Sequence, residues 1–129
     1  NPLQNAKTVV SRDEVLELQK EVQEIYVADQ VLDYVADLAE ATRKHVLITL
    51  GLSPRATLAI VTMAKAIAFL HRRDYVVPED VQDVVKDVFR HRLVLKSRAR
   101  LSSKDADKIM DEICATVHVP DRRAAGGRR

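Results

Sequence analysis

Glycine is scarce in this chain: three residues in 129, two of them, Gly126 and Gly127, close to the C-terminal end. A phosphate-wrapping Gly-x-x-x-x-Gly-Lys-Ser/Thr loop is thereby excluded, because glycine is what lets backbone N–H groups close around a triphosphate. Four prolines, 4% aromatics and no tryptophan point away from turn-rich β architecture. The single cysteine, Cys114, rules out an internal disulfide and suits a reducing, cytoplasmic setting. No apolar run approaches the ~18 residues of a membrane span, and nothing has the layout of a signal peptide. A concentrated basic patch is missing too. The net charge is +2, but the last nine residues hold four arginines and one aspartate, which leaves about −1 for residues 1–120. Nucleic acid is therefore not an expected partner, and neither is a membrane.

What is present is helical periodicity, in a chain of one-domain length. Residues 1–120 read as a single all-α domain of about five helices with at most a minimal β pair. The basic 121–129 tail has no means of burying apolar area and is expected to be disordered. The organising stretch is Gly51 to Leu70. Ser53 is placed to cap a helix and Pro54 to occupy its first position, where a missing N–H costs nothing. Arg55 then falls second, at the positive end of the macrodipole, an unfavourable place for a cation unless an anion completes the site. The alternative is a guanidinium that simply points into water. Gly51 is a candidate for positive φ.

Along the chain, Ser11-Arg12-Asp13-Glu14 is a capping box, opening a helix from Arg12 to about Gln23 with Val15, Leu18, Val22 and Ile25 on one stripe. Asp29 is a candidate cap for a second helix, which carries Leu32, Val35, Leu38, Ala39 and Thr42 and ends near Lys44 or His45. Val46 to Leu50 reads as a buried extended linker. The third helix, Pro54 to Leu70, offers Ala56, Ala59, Ile60, Met63, Ile67 and Leu70 to the core. Its many alanines place it at the bundle centre. The fourth starts at Pro78-Glu79-Asp80 and buries Val81, Val84, Val85, Val88 and Phe89, ending near His91. Leu93-Val94-Leu95 is either a short strand beside Tyr75-Val76-Val77 or a packed linker. Ser102 and Ser103 are alternative caps for a last helix, with Ala106, Ile109, Met110, Ile113 and Val117 inward.

Three ordered segments carry a resemblance: Gly51-Leu52-Ser53-Pro54-Arg55-Ala56, Arg73-Asp74-Tyr75-Val76-Val77-Pro78-Glu79-Asp80-Val81, and Arg90-His91-Arg92-Leu93. Together they resemble the C-terminal lid of MoxR-family AAA+ ATPases, from about Asn1 to Pro120. The resemblance implies that Arg55 is sensor 2, the lid arginine that reaches nucleotide phosphates, positioned by Gly51, Ser53 and Pro54. It implies ATP and Mg2+ as cofactors of the full-length protein, with Mg2+ held by an AAA+ core upstream of Asn1. The isolated domain needs neither and contributes no catalytic residue. The implied setting is a ring homo-oligomer that remodels or matures client proteins. Leu52 departs from the family's usual alanine, and Val77 from its usual threonine, which removes a capping hydroxyl. His91 and Arg92 match the pattern without acquiring a role.

Other constellations are weak. Ile109-Met110-Asp111-Glu112 has the apolar-then-acidic look of a Walker B strand but sits within helical periodicity. His45, His71, His91 and His118 share no ligand spacing, so no metal site is expected. Cys114 reads as a partly buried, inert thiol. Arg72, Arg73, Arg90 and Arg92 read either as contacts for acidic partners or as solvated helix ends. Two other functional classes remain: the lid of another AAA+ relative, of magnesium-chelatase type, or a free-standing helical interaction module.

Overall fold

The computed structural model describes residues 7–90, 94–95 and 103–126. In chain order these form α1 (Arg12–Glu24), α2 (Asp29–Lys44), β1 (Ile48–Leu50), α3 (Pro54–Leu70), α4 (Pro78–Arg90), β2 (Val94–Leu95), α5 (Ser103–Thr116) and the short α6 (Arg122–Ala125). The all-α expectation is met, with one two-stranded antiparallel pair, β1–β2.

The pairing itself differs from expectation. β2 joins β1, Ile48 opposite Leu95 and Leu50 opposite Val94. Tyr75 instead makes an isolated parallel bridge with Tyr26. There Tyr26 N donates to Asp74 O and Val76 N donates to Tyr26 O, both at 2.9 Å. Nor is the run from Val46 to Leu50 a buried linker. Only Ile48 is buried, while Val46 and Leu50 are 72% and 62% exposed. Val46 and Leu50 stand two residues either side of Ile48, the positions that share its face in a regular strand. β1 starts only at Ile48, and a register shift between Ile48 and Leu50 breaks the alternation on the other side.

The core lies between α2, α3, α4 and α5. From α2 it takes Val31, Tyr34, Val35, Leu38 and Ala39; from α4, all five expected residues; from α5, Ile109, Met110 and Ile113. Asp29 does not cap α2: it is the first helical residue, and the cap position is held by Ala28 without a side-chain bond. Ser103, one of the two alternative caps for the last helix, is its first residue, and the other, Ser102, lies outside the described residues.

α3 buries part of the line expected, Ala56 and Ile60 with Ile67 packed against the core, but Ala64 and Ala68 continue it in place of Met63 and Leu70. Ala56, Ile60, Ala64 and Ala68 are 0–1% exposed, whereas Met63 and Leu70 are exposed. The helix is apolar on most sides, so its small residues rather than its large ones select the inner face. A ridge of alanines lets a neighbouring backbone come close, and the most extensive packing of α3 is against α4.

α3 closes with His71 N and Arg73 N donating back to Ile67 O and Ala68 O, and with Arg72 in the left-handed region at φ 56°. Arg73 then turns inward instead of standing in solvent. Its two terminal nitrogens donate to both carboxylate oxygens of Asp80, at 2.7 and 2.6 Å. Asp80 also accepts from Val77 N at 2.8 Å, one half of a capping box for α4. The other half would need the hydroxyl that Val77 lacks.

α1 has its capping box, with Glu14 N donating to Ser11 Oγ and Ser11 N donating to Glu14 Oε2. Yet none of its residues is buried. Its apolar stripe forms a helix without joining the core; only Ile25, just beyond it, does. Lys65 Nζ, donating to Gln23 O at 2.8 Å, ties its end to α3.

Within the basic tail, the described residues form a short helix. Asp121 caps α6 by accepting from Arg123 N, and Ala125 is 1% exposed within the core cluster. One alanine side chain and a local cap are enough to seat this turn. Residues 127–129 lie outside the described residues, as do His91 and Arg92.

Candidate functional site

The loop from Leu50 to Arg55 is built from α2 as much as from its own sequence. Thr42, fully buried, donates from Oγ1 to Ala39 O at 2.7 Å and accepts there from Leu52 N at 3.0 Å. The next residue, Arg43, donates from Nε to Leu52 O at 3.1 Å. Both polar groups of the Leu52 backbone are thus held by consecutive residues of one helix end. The Leu52 side chain is 1% exposed in the core, so the departure from alanine is absorbed inward.

Gly51 has no positive φ, which corrects the expectation placed on it. Its requirement is space. A Cβ at this position would come within 2.8 Å of Thr42 Oγ1, Arg43 Cγ and Arg43 N. The chain passes so close to α2 that no side chain fits.

Ser53 and Pro54 act as the sequence predicts. Ser53 Oγ accepts from Ala56 N at 3.2 Å, and Pro54 begins α3. Thr57 N donates to Ser53 O at 3.0 Å. Pro54 having no N–H, the Arg55 N–H is the one first-turn donor left without a partner among the described residues. The helix end therefore offers less to an anion than expected, and the guanidinium carries most of the capacity. Arg55 is exposed and makes no hydrogen bond or ion pair with the described residues. No acidic residue shares its turn. Arg43, Pro54, Thr57 and Leu58 line an open depression together with Ala36 and Ala39 of α2; Arg55 is not among its lining residues.

Thr42 and Arg43 were not legible as site residues. Thr42 falls on the apolar stripe of α2, and the available signal was that a lone hydroxyl among buried positions needs partners.

The other constellations resolve structurally. Asp111 and Glu112 lie in α5; Asp111 pairs with Lys86 of α4 at 2.6 Å, and Glu112 stands 3.8 Å from His45. Among the described residues, no three His, Cys, Asp or Glu side chains are grouped to hold a metal ion. Cys114 is half-buried, and burial pushes its thiol pKa up, opposed by the nearby Lys86 ammonium. No helix of the described residues is long and apolar enough to cross a membrane.

The chain is an α-helical bundle with one short strand pair among the described residues, and its third helix starts at Ser53-Pro54-Arg55. The chain belongs to the AAA lid domain family, whose model matches residues 40–113. Within that family its relatives are of the MoxR type. It is 34% identical to the uncharacterized protein YeaC of Bacillus subtilis over 97% of this chain and 39% of that protein. It is 34% identical to the chaperone MoxR1 of Mycobacterium tuberculosis over 92% of this chain and 34% of that protein. A crystal structure of a candidate ATPase from Cytophaga hutchinsonii superposes with a TM-score of 0.78 at 29% identity, over 89% of this chain and 38% of that one. The chain thus spans between a third and two fifths of each of these proteins' length.

Proposed function

We propose that this lid supplies Arg55 as the sensor 2 arginine of a MoxR-type AAA+ ATPase, contacting the phosphates of ATP bound on an AAA+ core in the same polypeptide. One observation carries the reading: Arg55 is an exposed, unpaired cation at the second position of α3, on a loop fixed by α2. A guanidinium in that place forms charge-assisted hydrogen bonds to phosphate oxygens, roughly twice as strong as neutral ones. The residues present fit an anion and supply nothing for Mg2+, which is assigned to the core. The described residues include no phosphate-wrapping loop either, so the lid alone does not hydrolyse ATP. Loss of the terminal phosphate removes the partner of Arg55 and frees the lid to move as a body. In a ring of such subunits, that motion drives remodelling or maturation of client proteins, a reading supported by the name of the MoxR1 chaperone.

The test is ATP turnover and thermal melting of the full-length protein with Arg55→Ala and Arg55→Lys. Arg55→Ala should lower turnover by at least tenfold with the melting temperature equal to wild type or slightly raised, since removing a cation from a helix N-terminus is worth about 0.3–1 kcal/mol, in the stabilising direction. Arg55→Lys should restore part of the rate, keeping charge but losing the planar fork. Equal turnover in all three would make Arg55 an ordinary surface arginine.

A further inference from the structure

The bonds that reach the Leu52 backbone come from outside the arginine's own helix, and they are specific. Thr42 and Leu52 are ten positions apart, yet the Thr42 hydroxyl joins them: it donates its one proton to Ala39 O and accepts from Leu52 N on one of its two lone pairs. Arg43 uses only Nε on Leu52 O. The peptide is therefore held at both its N–H and its C=O, one residue before the Ser53 cap. Gly51 has no room to slide, because α2 backbone lies 2.8 Å from where a Cβ would stand. Ser53 and Pro54 then fix the dihedrals up to Arg55.

We infer that Thr42 and Arg43 are positioning residues for Arg55, setting where its guanidinium meets a phosphate rather than merely stabilising the bundle. The inference rests on the sensor 2 reading of Arg55. α2 and the start of α3 behave as one unit through this clamp, so α2 sets the depth at which the arginine is presented. A misplacement of about 1 Å at a group acting on the reaction can cost on the order of a hundredfold in rate.

The experiment is a double-mutant cycle on ATP turnover in the full-length protein, pairing Thr42→Val with Arg55→Ala. Arg43→Ala, at an exposed position, serves as a second clamp variant should Thr42→Val fold poorly; Thr42→Ser is the conservative control. Each clamp variant should lower kcat by roughly tenfold or more, and Thr42→Ser should return it close to wild type. In the Arg55→Ala background the clamp variants should have no further effect, because nothing remains to be positioned. A purely structural role would instead give factors that multiply. If Arg55→Ala lowers turnover but the clamp variants do not, or their effects multiply with it, the positioning role is overturned and the sensor reading stands. If Arg55→Ala changes nothing, both fall together.

Discussion

Arg73 and Asp80 form a two-pronged ion pair across the α3–α4 turn, with the Asp80 side chain 2% exposed and that of Arg73 17%. The pair raises the Arg73 pKa above its ordinary value, chiefly through the hydrogen bonds to Asp80. Arg73 also donates to Tyr75 O at 3.0 Å, so the guanidinium organises the whole turn. Asp80→Ala leaves that cation facing the interior without its partner and frees Val77 N. Such a half-broken pair costs about 3–5 kcal/mol. Urea unfolding should show the loss as a lower midpoint at an unchanged slope; a midpoint equal to wild type would mean that the carboxylate contributes nothing net.

Gly51→Ala should destabilise by about 1–3 kcal/mol, the usual cost of forcing a group into filled space. Arg43 Cγ can swing away, but Arg43 N and Thr42 Oγ1 belong to the packed end of α2. Thermal melting checks the sign. A melting temperature at or above wild type would show that the loop lifts off α2 without penalty.

Val77→Thr should stabilise by no more than about 0.5 kcal/mol, because the hydroxyl that completes the capping box would share Asp80 N, which already donates to Val77 O at 3.0 Å. The site already has the reciprocal bond from Val77 N to Asp80. Comparative melting of the two forms decides it, and a drop would mean that burying the hydroxyl outweighs the new bond.

Cys114 should react slowly with iodoacetamide at neutral pH, since burial raises its pKa above the ordinary thiol value. A raised folded-state pKa means that the folded form holds its proton more tightly than the unfolded one. The associated stability is fully present below the unfolded pKa and is lost as pH rises through the folded one. Removing the thiol with Cys114→Ala should flatten that alkaline decline in a melting-versus-pH series, and an unchanged decline would assign it to other groups.

The helices were readable because an apolar residue every three or four positions leaves little choice, and α4 is the plainest case: all five predicted inward residues are buried. α3 was readable as a helix but not in rotation, because a segment apolar on most sides has no unique stripe and the alanine ridge outcompeted Met63 and Leu70. α1 was periodic but contributed no buried residue, so periodicity there predicted structure without predicting packing. The cap and first turn around Arg55 followed from Ser53 and Pro54. The clamp from Thr42 and Arg43 did not, because a side chain meeting a backbone ten residues away leaves no periodic trace. Arg73 and Asp80 escaped for a similar reason: charges seven apart across a turn look solvated until the fold brings them together.

α3 has the properties of a lever. Its 17 residues span about 25 Å at 1.5 Å per residue, with Arg55 at one tip and the turn gripped by Arg73 and Asp80 at the other. Its most extensive packing is against α4, and its buried alanines leave few soft contacts in which a push could dissipate. Tipping such a rod by about 10° about the arginine would sweep its far end through about 4 Å, a displacement on the scale of one helical turn, 5.4 Å. On the sensor reading proposed for Arg55, a change felt at its guanidinium would be delivered, enlarged, to the opposite side of the domain.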